Sequence, residues 1–371
     1  MLFFLGLFFY IVIVSLVVYK RKLPYQQRGA GDKLFICLTM GVLMILTCLR
    51  GIDVGNDTKS YYYIFNFAKN QARLDDMSVE CFAWLSSMEI GYRLLERVVL
   101  FLTDNYQIFI CTIAVVSYYV ITKFIYCYSS NIVISVILFY LLFWGDYVNL
   151  LRQVLALSLI LIAIHELKNN HKILFYLLVI VASAFHTSAF FAFGYLLLVY
   201  VRPTRSNKIK LLAIAVVLGL FGQITNIMSS LGIVTSYANV ESGWSNYYQI
   251  LRNVLLCGTV CFMKRGLDTE CFPQEGTLSV RLEDWIPSVC LALSVIAIGL
   301  PIITRVELYY SILLLIVLPK YFTKKWIIET NKGIVLWFIF IVLILIVAGT
   351  IVFRPEWVTE YEYHFFWNNH L

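Results

Sequence analysis

Long apolar runs recur along the chain, each broken by a short polar or basic cluster. They lie near 2–19, 34–50, 106–126, 132–147, 150–167, 173–185, 187–201, 211–229, 250–263, 285–303, 306–322 and 333–352. Each approaches the length at which a helix crosses about 30 Å of hydrocarbon. The alternating segments of a membrane β-barrel are absent. This pattern predicts an all-α polytopic integral membrane protein with about twelve transmembrane helices, some short or paired. They form a single transmembrane domain over 1–371, with residues 51–105 inserted as its main extramembrane loop. The opening run, MLFFLGLFFYIVIVSLVVYKRK, is apolar before it is basic. A secretory signal has the reverse order, so this run reads as a retained first helix.

Charge orders the runs. The stretch 173–201 is long for one crossing and short for two, with Lys168 and Lys172 before it and Arg202, Arg205, Lys208 and Lys210 after it. Both ends therefore face the cytoplasm, and the stretch reads as two short helices with His186 near their outer turn. Both termini then face outward.

The chain is 61% hydrophobic and 14% charged, with a mean hydropathy of +0.81. A soluble domain cannot bury that much apolar surface. The net charge of +7 sits mainly in loops assigned inside, such as KRKLPYQQR and KYFTKKW. It is topology charge rather than a nucleic-acid footprint. Lys59 and Lys69 are the lysines assigned outside, whereas Arg50, Arg152, Arg252, Arg305 and Arg354 mark the outer ends of separate runs. The flat guanidinium fork binds a phosphate through two parallel hydrogen bonds, which lysine's point charge cannot do. The competing reading is that each arginine snorkels or pairs with an outer acid. Nine cysteines lie scattered, mostly in apolar runs, without CxxC or zinc spacing. They predict neither a disulfide framework nor a metal site.

The outer segments concentrate the chemistry. LRGIDVGNDTKSYYYIFNF (49–67) packs Arg50, Asp53, Asp57 and three consecutive tyrosines into one mouth. MEIGYRLLERVVLFL (88–102) carries Glu89, Arg93, Glu96 and Arg97 and is too short to span, so it reads as an amphipathic interfacial helix. Asp53, Asp57, Glu89 and His186 are candidates for a general base or a sugar-hydroxyl acceptor. Asp57 could equally cap the helix that begins near Thr58. Tyrosines such as Tyr61, Tyr92, Tyr248 and Tyr309 offer flat faces for sugars, although an ordinary aromatic belt explains most single tyrosines. A phosphate-binding glycine loop, DxD, a nucleophile elbow and HExxH are all absent.

The order of the motifs resembles a known family. Arg50-x-x-Asp53-x-x-x-Asp57-Thr58-x-x-Tyr61 is followed by Glu89-x-Gly91-Tyr92, NYQIF (105–109) and Arg152-Gln153-x-x-Ala156. Phe185-His186-x-Ser188-Ala189 and Arg305-x-x-x-Tyr309-Tyr310 complete the run. This resembles the EpsG/Wzy-type polysaccharide polymerases of bacterial inner membranes, while 264–284 and 323–371 carry little of the pattern. The resemblance implies a GT-C-like architecture and a multi-pass inner-membrane polymerase of O-antigen or capsule repeat units, acting on the periplasmic side. Its substrates would be undecaprenyl-diphosphate-linked glycans amid membrane lipids, with no nucleic acid and no cofactor, and it leaves room for a chain-length regulator as partner. Arg50, Arg152, Arg305 and Arg252 would neutralise the diphosphate leaving group without metal. An O-antigen-ligase-type transferase shares this logic and stays open. A flippase calls for polar residues at the midplane and inverted repeats, whereas here the ionisable residues gather at outer ends.

Overall fold

Polar backbone inside hydrocarbon must satisfy its own hydrogen bonds, and helices do so within one segment. A computed structural model describes residues 2–19, 29–71, 88–230, 244–264, 278–321, 341–342 and 363–368, and among these the only β pairing is an isolated Arg50–Phe365 bridge. The expected span at 333–352 lies almost wholly outside the described residues. Leu2–Tyr19 (α1), Ala30–Leu49 (α2), Tyr106–Tyr128 (α5), Arg205–Ile224 and Arg281–Gly299 are long and apolar enough to cross a membrane, and four shorter apolar helices accompany them. The chain divides into two compact units, one of residues 1–190 with 351–371 and one of residues 191–350.

In the first unit, α2 packs on α1 and α5, and α5 packs on Leu151–Lys168 (α8). Ile132–Leu142 (α6) is apolar all round and buried along nearly its whole length, as such a helix must be. Trp144–Asn149 (α7) links it to α8, and Lys172–Ser183 (α9) lies along α8. Helix α9 ends as expected just before His186. Irregular backbone at Ala184–His186 leads into a 3-10 helix, Thr187–Phe193.

Two helices from the 51–105 loop cover this bundle: Thr58–Gln71 (α3) and Ile90–Leu102 (α4). Helix α4 is amphipathic, as its sequence predicts. It turns Tyr92, Glu96 and Val99 inward and leaves Ile90, Leu94, Val98 and Phe101 uncovered. Tyr61, Phe65, Tyr92, Tyr106 and Phe109 form one buried aromatic cluster, with ring centroids 5.2–5.7 Å apart across α3, α4 and α5. Aromatic pairs at such spacings add to the area they bury, so this cluster fastens the loop helices to the bundle.

In the second unit, Gly194–Tyr200 (α10), Arg205–Ser230 (α11), Trp244–Lys264 (α12), Ile303–Ser311 (α14) and Leu314–Tyr321 (α15) gather around Leu278–Gly299 (α13). Helices α11 and α13 cross so closely that a Cβ at Gly222 would sit 2.6 Å from the Gly299 backbone. Small residues at a membrane-helix crossing allow this approach.

Candidate functional site

The turn 50–57 joins α2 to α3 and is pinned from three sides. Gly51 N–H donates to the His364 carbonyl at 2.8 Å, Asp57 N–H to Asn149 Oδ1 at 2.8 Å, and Tyr106 Oη to the Thr58 carbonyl at 3.1 Å. Gly55 has φ +93, and a Cβ there would meet Thr58 Oγ1 at 2.9 Å. Only glycine enters that left-handed turn without strain.

Arg50 is fully buried, and its Nη1 donates to the Thr47 carbonyl at 2.5 Å. Its Nε and Nη2 have no hydrogen-bond partner among the described residues. The polar groups around it are the hydroxyls of Tyr106, Tyr118 and Tyr363 and the thiol of Cys48. The C-terminal segment roofs this turn. Phe365 bridges to Arg50, Tyr363 Oη donates to the Leu46 carbonyl at 2.8 Å, and the Tyr363 ring stacks on Phe3 at 4.7 Å.

Arg152 lies in the first turn of α8. Its Nη1 contacts Glu89 Oε2 at 2.5 Å, its Nε donates to Tyr61 Oη at 3.5 Å, and its guanidinium carbon lies 5.8 Å from the Tyr61 ring centre. Glu89 precedes α4, and its second oxygen accepts from Thr187 N–H at 3.3 Å. The same two strands of chain touch again where Gly91 N–H donates to the Ala184 carbonyl at 2.7 Å. A Cβ on Gly91 would lie 2.7 Å from that oxygen and 3.1 Å from Phe185 Cδ2. The Glu89-x-Gly91-Tyr92 and Phe185-His186-x-Ser188 motifs therefore read as the two halves of one contact. His186 Nδ1 faces Ser188 Oγ at 2.6 Å.

The three candidate acids differ in what they already hold. Asp53 is exposed and pairs with Lys59 at 2.7 Å. Glu89 is committed to Arg152. The half-buried Asp57 carboxylate has no partner among the described residues. Asp57 immediately precedes α3, and its backbone carbonyl accepts from Tyr61 N–H at 3.1 Å.

Arg252 and Arg305 belong to the second unit. Arg252 Nη2 meets the buried Glu307 at 2.5 Å, and Asn253 Nδ2 donates to the same Glu307 oxygen at 2.7 Å. Ser294 Oγ donates to the other oxygen at 3.1 Å. Arg305 lies in the first turn of α14. Tyr309 is fully buried, and its carbonyl accepts from Tyr195 Oη at 2.7 Å. The side chain of Tyr248 lies outside the described residues. Tyr92 is also fully buried and Tyr61 nearly so, and of the two it is Tyr61 that touches a guanidinium.

Glu96, Asn149, Gln107 and the Tyr363 segment have no role predicted from sequence, yet they lie in or around the turn and the aromatic cluster. Glu96 is 1% exposed, its Oε1 has no partner among the described residues, and burial pushes its carboxyl up to about 7. Its spacing of four from Tyr92 was the available signal. Gln107 Nε2 donates to the carbonyls of Cys48 and, at 3.2 Å, of Arg50. It is the middle residue of the NYQIF motif. Among the described residues no group of three or more His, Cys, Asp or Glu side chains is placed to hold a metal ion.

Five of the six sequence motifs thus converge in the first unit, and the sixth lies in the second. No curated protein and no solved structure matches the chain. The sequence profile of the EpsG family matches residues 33–365, a range that runs from α2 to the roof over Arg50. The chain belongs to the EpsG family, membrane proteins of the polysaccharide-polymerase type.

Proposed function

We propose that this protein polymerises undecaprenyl-diphosphate-linked oligosaccharide repeat units on the periplasmic face of a bacterial inner membrane. About twelve crossings in a GT-C-like arrangement, with both termini outside, would carry the site. The observation that carries the reading is Arg50: a buried guanidinium that, among the described residues, has two nitrogens without a hydrogen-bond partner and is surrounded by phenols rather than a carboxylate. An uncompensated charge in low dielectric is costly, and a phosphate oxygen answers both the charge and the fork.

In this reading the acceptor sugar's hydroxyl attacks the anomeric carbon of the donor glycan. The bond from that carbon to the diphosphate oxygen breaks, and the hydroxyl proton passes to the Asp57 carboxylate. Arg50 and Arg152 stabilise the charge that grows on the departing diphosphate. Glu89 and the Thr187 backbone hold Arg152 in register rather than act as base, and His186, beside Thr187, lines the same wall. Tyr61, buried beside Arg152, orients that guanidinium through its hydroxyl and ring. Arg252, which already pairs with Glu307, and Arg305 belong to the second unit and are the remaining arginines of the proposed diphosphate-binding set. The uncovered stripe Ile90, Leu94, Val98 and Phe101 suits the lipid interface. A chain-length regulator would act on the polymer rather than on this chemistry.

The test is deletion of the gene followed by a ladder gel of surface polysaccharide. The proposal expects single-repeat products, restored to a ladder by the wild-type chain. Absent glycan would indicate a flippase, and polymer stranded on its carrier would indicate a ligase.

A further inference from the structure

The cysteines show no framework in the linear sequence, yet two of them meet in space. Cys48 lies in the last turn of α2 and Cys111 two turns into α5, 63 residues away. Cys111 Sγ donates to the Cys48 carbonyl at 3.4 Å, and Cys48 Sγ lies 4.0 Å from the Cys111 carbonyl. The two thiols also face each other within hydrogen-bond reach. Both are half-buried, whereas Cys257 and Cys290 are sealed in the second unit. Cys48 lies two residues before Arg50, and Gln107 holds the carbonyls of both.

We propose that Cys48 and Cys111 form a disulfide that staples the C-terminal end of α2 to the N-terminal end of α5. The proposal rests on the outward placement of these two helix ends, where an oxidising compartment lets disulfides persist. The reciprocal contacts place each sulfur against the backbone of the other cysteine. The oxidant is an external disulfide. One protein thiolate attacks it, forming a mixed disulfide and releasing one thiol. The second protein thiolate then displaces the other, so two protons and two electrons pass from the cysteine pair to the oxidant. The bond would fix the turn that carries Arg50, because both helix ends on which that turn rests would then be covalently joined.

The test uses the full-length protein in cells. Acid quenching is followed by alkylation before and after reduction and by mass spectrometry of the peptides that contain the two cysteines. A second variant carries a cysteine at Ser60 and is probed with an impermeant maleimide on intact spheroplasts. The expected result is a linked Cys48–Cys111 peptide that separates on reduction, with Cys111→Ser freeing Cys48 for alkylation. Position 60 should be labelled from outside. If position 60 is labelled while both thiols are alkylated without reduction, the pair itself is refuted. If position 60 is shielded and both thiols are free, the outward placement is refuted, and the native bond with it.

Discussion

Glu89 and Arg152, 63 residues apart in sequence, meet at 2.5 Å beside Tyr61. The pair is partly shielded from water, so it is worth more than an exposed ion pair, and it aims one edge of the guanidinium. Arg152→Lys retains the charge but loses the fork. Polymer formation should fall on the order of a hundredfold, with membrane levels near normal. Glu89→Gln should weaken activity less, because one oxygen still accepts from Thr187. Densitometry of the ladder against immunoblotted protein measures both. Losses that track protein abundance would make the pair a structural brace.

Gly91 is the second lever. With its Cβ position 2.7 Å from the Ala184 carbonyl, Gly91→Ala must push apart the contact that seats Glu89 on Thr187. Overpacking of this kind costs on the order of 1–3 kcal/mol. Gly41 has nothing within 4 Å of its Cβ position, so Gly41→Ala is the matched control. Thermal unfolding in detergent should fall for the first and hold for the second. Equal melting temperatures would show that the contact yields freely.

The all-helical class is legible in the sequence, because apolar runs act locally, but the expected runs 132–147 and 306–322 are each divided into two helices. The break before His186 and the amphipathic character of 88–102 are local too. The site is legible only as an ordered set of motifs. Neither the spacing of Glu89 from Arg152 nor that of Gly51 from His364 carries a period that a single chain could display. The burial of Arg50 by Phe365 and the meeting of Cys48 with Cys111 depend on which helices cross, and no local propensity records that choice. Glu96 was hidden for another reason. A charged residue on an amphipathic helix is ordinarily solvated, but here the aromatic cluster turns it inward.

Glu96 also gives the protein a pH signature. Burial raises its carboxyl from 4.5 to about 7, with Tyr92 and Tyr106 as neighbours and Arg97 pulling the other way. The folded state therefore binds this proton more tightly than the unfolded chain does. The stabilisation is present in full below about 4.5 and is lost as pH rises through about 7. An upper bound for the loss is about 3 kcal/mol. Unfolding temperature should drop between pH 5 and 8, and Glu96→Gln should flatten that slope. A variant with an unchanged slope would mean that Glu96 titrates as an exposed acid.

Diphosphate is already a good leaving group, and this account assigns its charge to arginine. Turnover should therefore survive chelation of divalent ions. Loss of activity with a chelator, restored specifically by magnesium or manganese, would instead point to Asp53 and Asp57 as ligands.

Repeat-unit polymerisation from a lipid diphosphate carrier can be followed by reconstitution. Purified protein in lipid vesicles is incubated with an undecaprenyl-diphosphate-linked repeat unit, and the lipid-linked products and the released carrier are followed by mass spectrometry. Carrier-linked products of two and more repeats are expected, with one free undecaprenyl diphosphate for each linkage made and neither product with Arg152→Ala. Unchanged single-repeat lipid in the presence of correctly folded wild-type protein would contradict polymerisation.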